Sequence, residues 1–166
     1  LFVLALLLLT GCQAKPAEDN ADSEVDAVRE WFTAEEPNYD LVSTDTVKEG
    51  VYALLTTFTP PGVEKGYTMV RAYIVAAEGE GYTIEALGDA YGPGSIGFSA
   101  EVLSTEEATV LFGDVGSSLY DPTTDTRRDV TFTDVAAKLA DGREVSISVQ
   151  NNAPYILILD AGAEVS

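Results

Sequence analysis

The side chains that could do chemistry in this chain are mostly carboxylates. The sequence holds 28 Asp and Glu residues and no histidine. A Ser-His-Asp or Cys-His nucleophile, an imidazole metal site and a histidine pH switch therefore cannot be built from it. Two facing carboxyl groups can still hydrolyse a glycosidic bond. Because no pair of acids is marked out by its spacing, we predict that the protein is not an enzyme and has no catalytic residues.

The least regular stretch of the sequence offers a candidate metal site. Asp114, Asp121, Asp125 and Asp129 follow one another in residues 113–134, a stretch without clear periodicity that is predicted to be a long loop. Calcium takes about six to eight oxygen ligands, and acidic loops supply them. The spacing matches no EF-hand, so a solvated loop without a cofactor is the favoured interpretation and calcium the alternative. Long loops in compact domains are often functional, which makes this stretch the predicted working surface.

Aromatic side chains indicate a second kind of ligand. Tyrosine rings that are exposed along one groove can stack on sugar rings, and the candidates are Tyr67, Tyr91, Tyr120 and Tyr155. A glycan-binding or glycan-hydrolysing module would place them together on the surface. If they fill the core, this interpretation fails.

The only cysteine, Cys12, follows the apolar run of residues 1–9. That run is about half of the roughly 20 residues that cross a bilayer as a helix, and it has the length of a signal-peptide core. Leu9-Thr10-Gly11-Cys12 resembles the lipobox of bacterial lipoproteins, in which an aliphatic residue and two small residues precede the acylated cysteine. The resemblance implies that residues 1–11 are a cleaved signal peptide and that Cys12 carries the lipid anchor, with fatty acids such as palmitate. A basic stretch and a Met before the apolar run are absent, which departs from the pattern.

The formal net charge is −19. Nucleic acid is excluded as a partner, because binding to phosphates needs clustered cations. An anionic membrane would also repel the chain, so attachment must come from the lipid on Cys12. These observations predict an extracytoplasmic protein that is lipid-anchored to a bacterial membrane.

The chain then divides into three predicted parts. Residues 12–22 are polar, contain proline and are predicted to form a flexible tether. Residues 23–36 are predicted to form an amphipathic helix, with Ser23 as N-cap and with Val28 and Phe32 on the apolar stripe. Pro37 ends the helix. Residues 38–166 are predicted to be a single β-domain.

The β-domain is indicated by alternating apolar and polar residues and by clusters of Gly and Pro between them. The predicted strands are Tyr39 to Asp45, Val51 to Thr59, Tyr67 to Ala77, Gly81 to Tyr91, Gly97 to Leu103, Ala108 to Gly113, Val130 to Leu139, Val145 to Gln150 and Tyr155 to Asp160. The last one is apolar on both faces and is predicted to be central. With no helices between the strands, the pairing should be antiparallel. We predict a mostly β fold, an antiparallel two-sheet sandwich of immunoglobulin-like kind with one short N-terminal helix; an up-and-down barrel is the alternative.

One turn can be predicted in detail. A three-residue loop over Ala140-Asp141-Gly142, with Gly142 in the left-handed region, pairs Ala137 with Val145 and places both apolar rows on one face. A two-residue loop would set apolar residues of one strand against polar residues of the other.

Two functions remain from the sequence. The favoured one is a membrane-anchored lipoprotein whose β-domain is a non-enzymatic binding or structural module of the cell envelope, with an envelope protein or glycan as partner. The alternative is a glycan-binding module or a carboxylate-dependent glycan hydrolase.

Overall fold

The computed structural model describes residues 18–63, 68–92 and 97–166. This part of the chain forms one α-helix, α1 (Glu18–Glu35), followed by strands. The strands are β1 (Asp40–Lys48), β2 (Val51–Phe58), β3 (Met69–Glu78), β4 (Gly81–Ala90), β5 (Glu101–Ser104), β6 (Thr109–Val115), β7 (Ser118–Asp121), β8 (Thr126–Asp129), β9 (Asp134–Lys138), β10 (Glu144–Ser148) and β11 (Ala153–Leu159).

The first sheet is an antiparallel meander in the order β1-β2-β3-β4. Short turns join β1 to β2 and β3 to β4, and the central strands β2 and β3 are almost wholly buried. Their register pairs Leu54 with Tyr73. The two faces of these strands alternate between two different apolar clusters, as the period of two requires.

The second sheet has the order β11-β6-β5, with β6 in the middle. Gly113 of β6 lies where the chain crosses just before β5, and a Cβ there would overlap the carbonyl oxygen of Ser99. The Tyr155 hydroxyl donates to that same oxygen at 2.8 Å. The glycine therefore permits the close approach that fixes this crossing.

Four layers result from this arrangement. Helix α1 covers the outer face of the first sheet, the two sheets pack face to face, and the β9–β10 hairpin covers the far face of the second sheet. Phe112 of β6 belongs to the cluster between the sheets, and Leu111 belongs to the cluster beneath the hairpin. The predicted antiparallel sandwich with one helix is confirmed. The barrel alternative is wrong, because the sheets of the described residues do not close.

The helix packs through the predicted stripe but begins earlier than predicted. Val28 and Phe32 are fully buried against the first sheet. Ser23 lies inside the helix, so it is not the N-cap, and residues 18–22 of the predicted tether are helical. Acidic residues at the start of a helix are stabilised by its dipole, which favours this earlier start over a coil. Residues 12–17 of the predicted tether and the signal peptide 1–11 lie outside the described residues.

The last predicted strand is apolar on both faces and was therefore predicted to be central. The structure shows that it is an outer strand of its sheet, so the prediction was wrong. β11 pairs only with β6 among the described strands and so forms one side of the second sheet. It is covered by the first sheet through Ile156 and by the β9–β10 hairpin through Leu157. Layers on both faces bury it, although it is not central in its sheet.

Candidate functional site

The acidic stretch that was predicted to be a long loop is largely structured. β6 runs on to Val115, and residues 118–129 form the β7–β8 hairpin, a two-stranded sheet of its own. The prediction of an irregular loop was wrong because both strands are only four residues long and carry mixed polar residues, which leaves no period to detect. The hairpin turns at residues 122–125, and every residue of β8 is exposed.

The four candidate calcium ligands do not meet in one place. Asp121 accepts a hydrogen bond from the Thr123 backbone N–H at 2.8 Å, and Asp125 accepts one from the Tyr120 hydroxyl at 2.7 Å. Both lie at the hairpin tip, whereas Asp129 lies at the other end of β8, opposite Ser118. Within residues 18–63, 68–92 and 97–166, no group of three or more acidic or cysteine side chains is placed to hold a metal ion.

The fourth candidate, Asp114, lies on β6 away from the hairpin tip. Its side chain is partly buried, and burial raises its pKa above the usual range for an aspartate. Its backbone is fixed by the crossing segment, since its N–H donates to the Ser99 hydroxyl at 2.9 Å. Asp114 thus belongs to the sandwich and not to an acidic loop.

The four candidate tyrosines do not form one surface. Tyr155 is only 4% exposed and packs beneath the β9–β10 hairpin, so it cannot stack on a ligand. Tyr91 and Tyr120 are exposed, at 65% and 36%. Tyr67 lies outside the described residues. The predicted platform was wrong for Tyr155, because an aromatic residue in a strand covered on both faces becomes part of the core.

A different cluster, which the sequence did not single out, has the geometry of a built site. It surrounds Arg71 near the start of β3, on the outer face of the first sheet just beyond the end of α1. The Arg71 guanidinium donates to both carboxylate oxygens of Asp89 on β4, with Nε to Oδ1 at 2.5 Å and Nη2 to Oδ2 at 2.7 Å. The Arg71 side chain is 18% exposed and that of Asp89 is 31% exposed. This bidentate pair holds the guanidinium plane in one orientation.

Two aromatic rings are held by the same guanidinium. Arg71 Cζ lies 5.0 Å from the centre of the Tyr39 ring and 4.9 Å from that of Phe58, within the range of a cation–π contact. Arg71 Nη1 also donates to the Tyr39 hydroxyl at 2.5 Å. The two rings are 5.0 Å apart and tilted by 56°. The pair Tyr39 and Phe58 is therefore preorganised before any ligand arrives.

These rings form part of the wall of an open groove of about 710 Å³. The remaining described walls are polar or acidic except for Pro61. They come from the end of α1, the segment leading into β1 and the chain after β2, and they consist of Glu36, Asn38, Asp40, Thr59 and Pro61. We call this the Tyr39–Phe58 groove. Because Asp89 neutralises the Arg71 charge and the lining residues within the described part of the chain include two carboxylates and no cation, the described lining is net negative.

The groove exists because several chain ends meet at one end of the first sheet. In an antiparallel meander, the start of β1, the end of β2, the start of β3 and the end of β4 lie on the same side. Pro37 stops the helix so that Tyr39 reaches that side directly after α1. One sequence signal could have located the site: Arg71 stands alone in the apolar run Met69-Val70-Arg71-Ala72-Tyr73.

A buried hydroxyl lies behind the groove. Tyr73 is fully buried, and its hydroxyl makes no hydrogen bond in the described part of the chain. Burial raises the pKa of Tyr73 to about 12, although the nearby Arg71 charge acts in the opposite direction. Its ring contacts Tyr39 edge-on, with the centroids 6.0 Å apart. The Tyr73 ring therefore forms a buried floor behind Tyr39.

Comparisons of this chain with protein-family models, with curated proteins and with solved structures find no match. Among the described residues, no helix combines the length and the apolar character needed to cross a bilayer. Cys12, the predicted lipidation site, lies outside the described residues.

Proposed function

We propose that the protein is a lipid-anchored extracytoplasmic lipoprotein whose β-domain is a non-enzymatic binding module of the cell envelope, with the Tyr39–Phe58 groove as its ligand site. The observation that carries the anchor is the sequence Leu9-Thr10-Gly11-Cys12 after an apolar run, with no other cysteine in the chain. The observation that carries the binding role is the pair of rings fixed by Arg71 in an open groove.

Preorganisation is the reason to choose this groove. A binding site gains affinity when its contact groups are held in place before the ligand arrives, since less side-chain entropy is then lost. Tyr39 is held by a hydrogen bond and a cation–π contact, and Phe58 by a cation–π contact. By contrast, no cation–π contact to Tyr91 or Tyr120 occurs among the described residues, although both tyrosines are exposed.

A glycan is the second candidate ligand, and the groove composition favours it. Sugar rings stack on aromatic faces and hydrogen-bond to amide, hydroxyl and carboxylate groups, and the groove offers Asn38, Asp40 and Thr59 beside the rings. The hydrolytic version of this candidate needs two carboxyl groups across the bond, for which Glu36 and Asp40 are the lining acids. If the protein only binds glycans, the double variant E36Q/D40N should still bind them. If the protein hydrolyses glycans, the same variant should lose this activity.

The anchor is tested on Cys12. Wild-type protein expressed in a bacterium should carry an acylated Cys12 by mass spectrometry and partition into detergent. The Cys12→Ser variant should keep residues 1–11 and carry no lipid. Mature wild-type protein with an unmodified Cys12 thiol would rule out the anchor.

The groove is tested by capture of envelope material on the folded domain. The domain should begin at Cys12, changed to Ser, since a start at Ser23 would remove the first turns of α1. Tyr39→Ala and Phe58→Ala should each lose the captured protein or glycan. Tyr120→Ala, which removes an exposed ring elsewhere, is the control, and binding lost only in that control would move the site to the β7–β8 hairpin. The proposal requires no cofactor, and a calcium-dependent capture abolished by Asp121→Asn would favour the calcium alternative.

A further inference from the structure

The direction of α1 places the lipid attachment at one end of the domain. α1 ends beside the start of β1, so it runs antiparallel to that strand and its first residues lie at the far end of the first sheet. The Tyr52 hydroxyl near the start of β2 donates to Glu24 on α1 at 3.3 Å, which confirms this direction. We call this end, with the β1–β2, β3–β4 and β5–β6 turns, the anchor pole. The opposite end, with Tyr39 and Phe58, is the groove pole.

The anchor pole is strongly acidic. Its exposed carboxylates lie on the first turns of α1 and on the three turns, and they are Asp22, Glu24, Glu49, Glu78, Glu80, Glu106 and Glu107. The cation described among them is Lys48, which forms an ion pair with Glu107. The β5–β6 turn is placed at this pole by that ion pair and by Ala108, which belongs to the same buried cluster as Val51. An anionic lipid surface would repel this pole.

The tether is shorter than the domain. From Cys12 to Glu18 the chain has six peptide links, which cannot span more than about 22 Å whatever their conformation. β3, with ten residues, alone spans about 33 Å between the two poles. A domain attached at the anchor pole therefore cannot turn its groove pole to the membrane.

We propose that the domain stands upright on the membrane, with its acidic anchor pole held off an anionic surface by charge repulsion and its groove pole directed away from the lipid. This inference rests on the proposed lipid anchor at Cys12. Because the chain has a formal net charge of −19, an anionic surface would also repel a domain that lay on its flank. The anchor pole thus acts as an electrostatic spacer, and the Tyr39–Phe58 groove is presented to partners in the envelope and not to lipid headgroups.

The test measures the height of the domain above a bilayer. Every residue of the four core clusters lies at or after Val25, so a chain that begins at Cys12 keeps the whole core. Its only thiol can be coupled chemically to a maleimide lipid in vesicles, which makes the result independent of whether cells acylate Cys12. Energy transfer from Trp31, the only tryptophan, to dansyl lipids in the bilayer then reports its height.

On vesicles with anionic lipid, energy transfer from Trp31 should be about twofold lower at about 0.01 M salt than at about 1 M salt. The reason is that the Debye length falls from about 30 Å at the lower salt concentration to about 3 Å at the higher one. Zwitterionic vesicles should show high transfer at both salt concentrations. The variant E49Q/E78Q/E80Q/E106Q should remove most of the salt effect. The matched control E35Q/E101Q/D125N/D129N removes four exposed charges outside the anchor pole. It should reduce the salt effect much less.

Equal transfer on anionic and zwitterionic vesicles at low salt would overturn the proposal. So would an equal or larger effect of the control variant, because repulsion would then not be concentrated at the anchor pole. High transfer at low salt on anionic vesicles would mean that the domain lies on its flank. The acylation of Cys12 is measured separately in cells, so none of these outcomes decides whether the proposed lipid anchor exists.

Discussion

Arg71 of β3 and Asp89 of β4 are cross-strand partners that share two hydrogen bonds, of 2.5 and 2.7 Å, on the outer face of the first sheet. The pair closes the end of the sheet that α1 leaves uncovered. It also orients the guanidinium against the rings of Tyr39 and Phe58. One ion pair therefore links two strands and orients the side chains of the groove, so a change in it should affect both the stability of the fold and the groove.

Removal of the carboxylate charge at position 89 should destabilise the fold. Asp89→Asn leaves the Arg71 guanidinium largely buried without its counter-charge, and we expect a loss of about 1–3 kcal/mol in the unfolding free energy. Urea titration measures it. The exposed pair of Arg143 and Asp160 is the control, and Asp160→Asn should leave the urea midpoint nearly unchanged. Equal midpoints for wild type and Asp89→Asn would show that this partly buried pair contributes nothing to stability.

Two buried tyrosines, Tyr73 and Tyr155, should respond differently to the removal of their hydroxyl groups at neutral pH. Tyr155→Phe loses the hydrogen bond to Ser99 and should cost about 1 kcal/mol of unfolding free energy. Tyr73→Phe loses no hydrogen bond of the described structure and should change it by less than about 0.5 kcal/mol. Thermal unfolding of both variants provides the measurement. A larger loss for Tyr73→Phe would reveal a partner for its hydroxyl.

Stability should fall in alkaline solution because of the same two residues. Burial raises the pKa of Tyr73 and of Tyr155 to about 12, whereas a tyrosine in an unfolded chain titrates near pH 10. The stabilising contribution is complete below about pH 10 and is lost as the pH rises toward 12, at up to about 1.4 kcal/mol per pH unit for each tyrosine. Urea midpoints at pH 9 and 11 give the loss. The loss of stability between these pH values should be smaller in Tyr73→Phe than in the wild type. An identical loss in that variant would mean that other groups cause the alkaline transition.

Gly142 should be sensitive to the shape of the residue that replaces it. Its φ is 89°, in the left-handed region, and no atom lies within 4 Å of the position that a Cβ would occupy. Gly142→Val should therefore cost about 1–2 kcal/mol through backbone strain alone. Gly142→Asn is the control and should cost less, since Asn enters this region more readily. Differential scanning calorimetry compares the two, and equal melting temperatures would contradict the strain account.

Strand positions and one register could be predicted because they depend on local pattern. The pairs Ala137 with Val145 and Val135 with Ile147 follow from keeping apolar rows on one face, and the structure confirms both. The strands of the first sheet were predicted to within a few residues at their ends, since Val51 to Phe58 and Met69 to Glu78 are long and rich in β-forming residues.

The groove could not be predicted because its parts are distant in sequence. Tyr39 and Arg71 are 32 residues apart and meet only when the ends of the first sheet come together. A period-two pattern gives the face of a residue but not the neighbour that it meets across the sheet. The β7–β8 hairpin was missed for another reason: Tyr120 and Arg127 form a cross-strand pair among mixed polar residues, with no apolar row to mark the strands.

The position of β6 has a consequence for the way in which the molecule opens. It is hydrogen-bonded on both edges, to β11 and β5, and lies beneath a layer on each face. Its amide protons can reach deuterated solvent only if both layers separate, which makes their exchange a measure of global unfolding. The β7–β8 hairpin, attached to no other strand in the described structure, can exchange its amides while the sandwich remains intact. Amide exchange rates along residues 109–129 should therefore rise sharply after Val115. At that point the chain leaves β6, which should exchange most slowly, and enters the β7–β8 hairpin, which should exchange quickly.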